Sequence, residues 1–169
     1  LTRPAFHLVS FDEPLRRGVA SLVHRLDQWF EPDALADIHE QLTPDTALLA
    51  VEADHPQTAL GFITVRFERE DEGRITWMGV DPAWQRQGVG RALVESICAE
   101  ARQAGLSRLW VETMSDQVDH APFDQTRAFY ASMGFTPHHE LGDLAGNGLL
   151  TTDWALELQT RDAIAGFTG

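Results

Sequence analysis

Apolar residues recur at Leu15, Val19, Leu22, Val23, Leu26, Trp29 and Phe30, at i, i+3, i+4 and i+7 spacing, which predicts an amphipathic helix over residues 13 to 30. Glu31-Pro32-Asp33 breaks the pattern, because the residue before a proline is pushed out of helical geometry. A second helix is expected over residues 33 to 42, with Leu35, Ile38 and Leu42 on one face and Pro44-Asp45 closing it. The period then changes. Thr46–Glu52, Leu60–Arg69 and Arg74–Val80 read as strands joined by the polar turns Asp54–Gln57 and Glu70–Gly73, which predicts an antiparallel meander. From Gly88 to Ala104 the pattern is helical again, with Val89, Ala92, Leu93, Ile97 and Ala101 on one face and Gly105 at the position that ends a helix. Leu106–Met114 reads as a strand, and a strand-helix-strand unit of this kind is usually parallel with a right-handed crossover. A polar loop over residues 115 to 123 leads to a short helix, Thr126–Met133, ended by Gly134. A strand from Phe135, a Gly-rich loop from Gly142 to Gly148 and a final strand Leu149–Leu158 complete the order αα-βββ-α-β-α-ββ, a mixed α/β sheet with helices on its faces.

A chain of 169 residues fits one domain with one substantial core, residues 1–169, and an apolar content of 43% with 23% charged residues is that of a soluble globular protein. No apolar run approaches the ~20 residues of a membrane helix, and LTRPAFHLVSFDE has no signal-peptide architecture, so no membrane association is expected. The single cysteine, Cys98, rules out an intrachain disulfide and fits a cytoplasmic setting. The net charge of −13 argues against a nucleic-acid partner, since phosphate neutralisation needs clustered cations; it leaves room for a cationic amine or basic peptide, with solubility alone as the ordinary alternative.

The segment TWMGVDPAWQRQGVGRALVESI places Gly88 and Gly90 where a strand gives way to a helix. A helix N-terminus leaves its first amides unpaired and partly positive. Glycine lets an anion approach those amides closely and permits positive φ, which makes the junction suited to phosphate, with Arg86 and Arg91 adding charge. It is not a P-loop, since Gly-Lys-Ser/Thr is missing, and Gly88-Val89-Gly90-Arg91-Ala92-Leu93 lacks the third glycine of a dinucleotide fingerprint. On this stretch alone a structural turn and a phosphate cradle stand level.

Gln85-Arg86-Gln87-Gly88-Val89-Gly90 resembles the Gln/Arg-x-x-Gly-x-Gly/Ala signature of the GNAT superfamily, the Gcn5-related N-acetyltransferases, and Val80-Asp81-Pro82 and Arg91-Ala92-Leu93-Val94 are similar to its flanks. Downstream, Phe129-Tyr130-Ala131-Ser132-Met133-Gly134-Phe135 resembles the family's FYxxxGF segment. The resemblance covers roughly Leu15 to Leu158 and implies a mostly antiparallel sheet of about six or seven strands flanked by about four helices, with a splayed parallel strand pair forming a coenzyme A cleft. It implies transfer of acetyl from acetyl-CoA to a primary amine, with no metal. The backbone of Gln85, Arg86, Gln87, Gly88, Val89, Gly90 and Arg91 would cradle the pyrophosphate, Met78, Gly79 and Val80 would line the pantetheine, and Arg127 and Tyr130 would complete the cofactor contacts. The Met78 amide would polarise the thioester carbonyl, a type of contact worth about 2.7–4 kcal/mol of barrier. Tyr130, the only tyrosine, takes the general-acid position, where a phenol of pKa about 10 can protonate the departing thiolate.

Two positions depart from the family. Phe123 stands where many relatives have an asparagine that holds pantetheine, and Arg74 stands where some have a glutamate base; arginine cannot serve as a base at neutral pH. Candidates for the acceptor side are therefore Phe30, Glu31, Trp77, Glu112 and His120, with Glu112 also a candidate base. Each has an ordinary structural alternative: Phe30 and Trp77 as core, Glu31 and Asp33 as helix-start charges, Glu112 as a solvated strand residue, His120 as a solvated loop residue. His138-His139 alternate across a strand and have no partner at metal-ligand spacing, and Cys98 belongs to a buried helix face. A non-catalytic acyl-CoA sensor and a transferase for a longer acyl group stay open, and a homodimer is allowed.

Overall fold

Strand Ala47–Glu52 is buried along five consecutive residues, as a strand covered on both faces must be. In the computed structural model, which describes residues 6–142, 148 and 150–158, it is the second of seven strands: β1 Phe6–Ser10, β2 Ala47–Glu52, β3 Ala59–Arg69, β4 Glu72–Val80, β5 Arg108–Met114, β6 Thr136–Gly142 and β7 Thr151–Glu157. The four α-helices among the described residues are α1 Arg16–His24, α2 Ala34–Gln41, α3 Val89–Gln103 and α4 Ala121–Ser132. The sheet order is β1-β2-β3-β4-β5-β7-β6. β1 with β2, β2 with β3, β5 with β7 and β6 with β7 pair antiparallel, and β4 pairs parallel with β5 from Glu72↔Arg108 to Ile75↔Val111. This is the mixed, mostly antiparallel sheet with one parallel pair that the resemblance implies. Most of the expected Gly142–Gly148 loop, the start of the last strand at Leu149 and the first five residues of the N-terminal segment lie outside the described residues. No helix among the described residues is long and apolar enough to cross a membrane.

The chain forms two compact units: the described residues up to Arg66 with Thr76–Ser96, and Phe67–Ile75 with the described residues from Ile97 onward. The core of the first is built by Val19, Leu22, Val23 and Leu26 from α1 and its exit, Ile38 from α2, and Leu49, Val51 and Phe62 from the sheet. The second buries Leu109 and Val111 of β5, Trp154 of β7, and Tyr130 and Phe135 around the end of α4.

Three boundaries differ from the pattern reading. The strand β1 was not expected, and its five residues are half-buried or exposed, none fully buried. The expected helix over residues 13 to 30 is a 3-10 turn, Glu13–Leu15, then α1, and it ends at His24. Beyond it Leu26 N–H bonds Val23 O at 2.9 Å and Trp29 N–H bonds Leu26 O at 3.0 Å, so successive turns keep Leu26, Trp29 and Phe30 on the inner side. Apolar spacing does not separate such turns from a continuous helix. Finally α4 starts at Ala121, inside the expected loop, because Pro122 occupies its first turn, where no N–H is needed.

Gly18 sits within α1, where alanine normally stabilises by about 1 kcal/mol. Here a Cβ would lie 2.6 Å from the backbone oxygen of Gln57. Gly18→Ala is therefore expected to lower stability, by about 1–3 kcal/mol, in urea denaturation. A gain would mean that the α1 contact with the β2–β3 turn is not as close as described.

Candidate functional site

In the first unit the strand-to-helix junction is held at both ends. Asp81 N–H donates to Leu60 O at 2.8 Å, and Asp81 Oδ1 accepts from Ala83 N–H at 2.9 Å, starting the 3-10 turn Pro82–Trp84. Asp81 Oδ2 accepts from Arg25 Nε at 2.9 Å and Nη2 at 2.7 Å, so the exit of α1 is pinned to the junction. Gln85 Nε2 donates to Val80 O at 3.2 Å and Gln87 Nε2 to Ala83 O at 2.6 Å, closing the loop on itself. Helix α3 begins with Ala92 N–H on Gly88 O at 3.0 Å.

Backbone geometry separates the two glycines. Gly88 has φ 90, but Gly90 lies in the first turn of α3, and the second left-handed residue is Arg86, with φ 58. Left-handed geometry at a non-glycine residue is uncommon and tends to occur at functional loops. Backbone of alternating hand can turn successive N–H groups toward one concavity, which suits an anion. Arg86 is exposed, and Arg91 is exposed and 3.5 Å from Glu95. Nothing in the sequence marks Arg86 for this conformation; the glycines beside it draw the attention.

β4 carries the segment Trp77–Val80. Trp77 N–H donates to the Thr64 hydroxyl at 3.1 Å, which ties this segment of β4 to β3 through a side chain. Gly79 is crowded: a Cβ there would lie 2.5 Å from Leu26 Cδ1 and 3.0 Å from Phe62 Cε1. Phe30 packs edge-on against Trp77 at 5.7 Å and at a tilt against Phe62 at 6.2 Å. The structure thus brings Phe30 and Trp77 together, both half-buried, with Glu31 exposed beside them.

In the second unit Tyr130 is buried in the last turn of α4. Its C=O accepts from Phe135 N–H at 3.1 Å, and Gly134 N–H, in a residue with φ 94, bonds Ala131 O at 3.0 Å. These are the two bonds of a Schellman cap, which also brings the side chains at its two ends into contact. Tyr130 and Phe135 do meet, with ring centroids 5.4 Å apart. The Tyr-x-x-x-Gly-Phe spacing is therefore a helix stop as well as a chemical motif. Burial holds the Tyr130 phenol above its ordinary pKa, so it stays protonated through the neutral range.

Arg127 is nearly buried and donates to the carbonyls of Met114 and Ser115. His120 is the residue before α4, with its ring 4.8 Å from Phe123. Glu112 is exposed on β5, opposite Asp153 of β7. Cys98 is buried, and among the described residues no group of three or more His, Cys, Asp or Glu could hold a metal ion.

Arg74 takes part in an ion-pair network. Its Nη1 and Nη2 donate to both oxygens of Asp153, at 2.6 and 3.0 Å, and its Nε to Glu68 at 2.7 Å. The hydrogen bonds to Asp153 push its pKa further up, so it is a permanent cation. Arg74→Met would strand Asp153, which is only 7% exposed, and is expected to cost about 3 kcal/mol in thermal or chemical denaturation.

A mixed sheet with one parallel strand pair, two positive-φ residues before a helix, and a buried tyrosine on a capped helix are the features that the sequence resemblance implied. The acetyltransferase (GNAT) family profile matches residues 16–135, and the chain belongs to that family. It is 29% identical over 141 residues to the IAA acetyltransferase of Azospirillum brasilense, covering 79% of this chain and 87% of that protein. It is 37% identical over 65 residues to the [ribosomal protein bS18]-alanine N-acetyltransferase of Escherichia coli K12, covering 38% of this chain and 40% of the relative. The solved structure of a putative GNAT acetyltransferase from Desulfovibrio desulfuricans superposes with a TM-score of 0.79 over 92% of this chain and all of that one, at 21% identity, a likeness of fold.

Proposed function

We propose that the chain, as a single GNAT domain, is an N-acetyltransferase that moves acetyl from acetyl-CoA to a primary amine by direct attack in a ternary complex. The observation that carries this reading is the pair of left-handed residues, Arg86 and Gly88, immediately before α3. They support a role for the amides from Gln85 to Arg91 in binding the pyrophosphate, with the Arg86 and Arg91 side chains adding charge. Val80 and Gly79 line the pantetheine through their backbones, and the Met78 amide stabilises the oxyanion. The acceptor amine first loses its ammonium proton to solvent, its nitrogen lone pair attacks the thioester carbonyl carbon, and the carbon–sulfur bond breaks. The thiolate takes the Tyr130 phenolic proton, and solvent receives the second proton from the nitrogen and returns one to Tyr130. The burial that keeps Tyr130 neutral also weakens it as an acid. A thiolate formed in equally dry surroundings is a stronger base, which restores the match.

The acceptor is a cationic small amine or a peptide amine. The net charge of −13 favours cations, and one relative is named as the N-acetyltransferase of an alanine in ribosomal protein bS18, which supports a peptide amine. Phe30, Glu31, Trp77, Glu112 and His120 are the side chains we assign to its recognition. The reading is tested by release of free thiol from acetyl-CoA across amines, polyamines, aminoglycosides and short peptides. All 13 Lys+Arg positions are arginine, so the chain offers no ε-amine of its own to consume the thioester. Turnover with any member supports the enzyme. Saturable CoA binding without turnover across the panel would favour the sensor, and turnover restricted to longer acyl-CoA would change the donor.

A further inference from the structure

Helix α4 has one buried residue, Tyr130, in its last turn. Full burial is thus confined to its C-terminal end, and Arg127 adds a polar tie to the rest of the helix. Arg127 stands one turn before Tyr130, on neighbouring surface of the helix, with its side chain 11% exposed. Its Nη1 donates to two successive carbonyls at the end of β5, Met114 O at 2.8 Å and Ser115 O at 3.0 Å, and its Nη2 pairs with Asp124. The point it grips is rigid. Ser115 is fully buried, its N–H donates to Leu150 O at 2.9 Å, and its hydroxyl donates to Glu140 at 3.0 Å. Gln117 Nε2 donates to the same Glu140 oxygen at 2.9 Å.

We infer that Arg127 is a positioning residue for acyl transfer, clamping α4 to the end of β5 and so fixing how the Tyr130 hydroxyl is presented, rather than a ligand of the coenzyme as its motif position suggests. The inference rests on the reading of Tyr130 as the general acid. A planar guanidinium suits the task because one Nη can reach two carbonyls while the other engages a carboxylate. Its charge is largely used by these partners, which leaves little for a phosphate.

Tyr130 is the only tyrosine, so ring-labelled tyrosine gives a signal from this one residue in the full chain. In Arg127→Gln that signal is expected to shift and broaden at neutral pH while the tryptophan indole signals stay in place. Arg127→Lys, which keeps a cation able to reach the carbonyls, should return it toward the original position. Affinity for CoA should be unchanged. In turnover at saturating acetyl-CoA, Arg127→Gln should lose roughly tenfold in kcat, yet add no further loss in a Tyr130→Phe background. An unmoved tyrosine signal would overturn the inference, as would weakened CoA binding with kcat intact or losses that multiply in the double variant. A fully active Tyr130→Phe would instead remove the general-acid reading on which it rests.

Discussion

Tyr130→Phe is expected to lower kcat by about 100-fold, the lower range for loss of a positioned proton donor, with the fold retained and CoA still bound. The variant is clean for a structural reason. Phenylalanine keeps the ring that packs 5.3 Å from Phe129 and 5.4 Å from Phe135, and the Schellman bonds involve only backbone atoms. Only the hydroxyl is lost. Steady-state turnover with isothermal titration of CoA checks it, and a variant with wild-type kcat would leave Tyr130 as a helix-stop residue alone. The pH dependence follows from the raised phenol pKa. A group whose pKa is raised by folding contributes stability below its unfolded value and loses it as pH climbs toward the folded one. Tyr130 should therefore stay a donor through pH 7–9, roughly the usable range, and any alkaline limb of activity there belongs to another group.

Gly88→Val is expected to weaken CoA binding by about tenfold to a hundredfold, from about 1–3 kcal/mol of backbone strain. A Cβ at Gly88 would meet nothing within 4 Å, so the effect cannot come from collision within the chain. It comes from φ 90, which a β-branched residue resists strongly. Gly105→Val is the matched control: that residue has φ 82, a Cβ there also meets nothing within 4 Å, and it lies at the other end of α3. Both variants should lose similar stability, but only Gly88→Val should lose affinity in a CoA titration. Equal affinities in the two would remove the phosphate cradle at this junction.

Much of this was legible from local signals. Gly105 and Gly134 were read as helix stops, and each has the expected left-handed φ and its Schellman bonds, because a C-cap is a matter of a few adjacent residues. The meander and the strand-helix-strand unit followed from changes of period, and the family from two short motifs. The failures have equally local causes. Pro122 suggested loop although proline is at home in a first turn, and Leu26, Trp29 and Phe30 kept a helical spacing through a chain of turns. The contacts of Arg127 were not legible at all, since its carbonyl partners lie 12 and 13 residues away along the chain, at the exit of another strand.

The sequence by itself determined the order of elements, the class of fold and the family, since hydrophobic period, glycine stops and motif spacing act over neighbouring residues. Tertiary structure alone decided that Arg86 adopts the left-handed turn, that Arg25 grips Asp81 across 56 residues, and that Arg74 is held by Asp153 across 79. Such pairings arise from which surfaces the sheet and helices bring together, and a side chain's partner across a fold leaves no periodic trace in the chain that carries it.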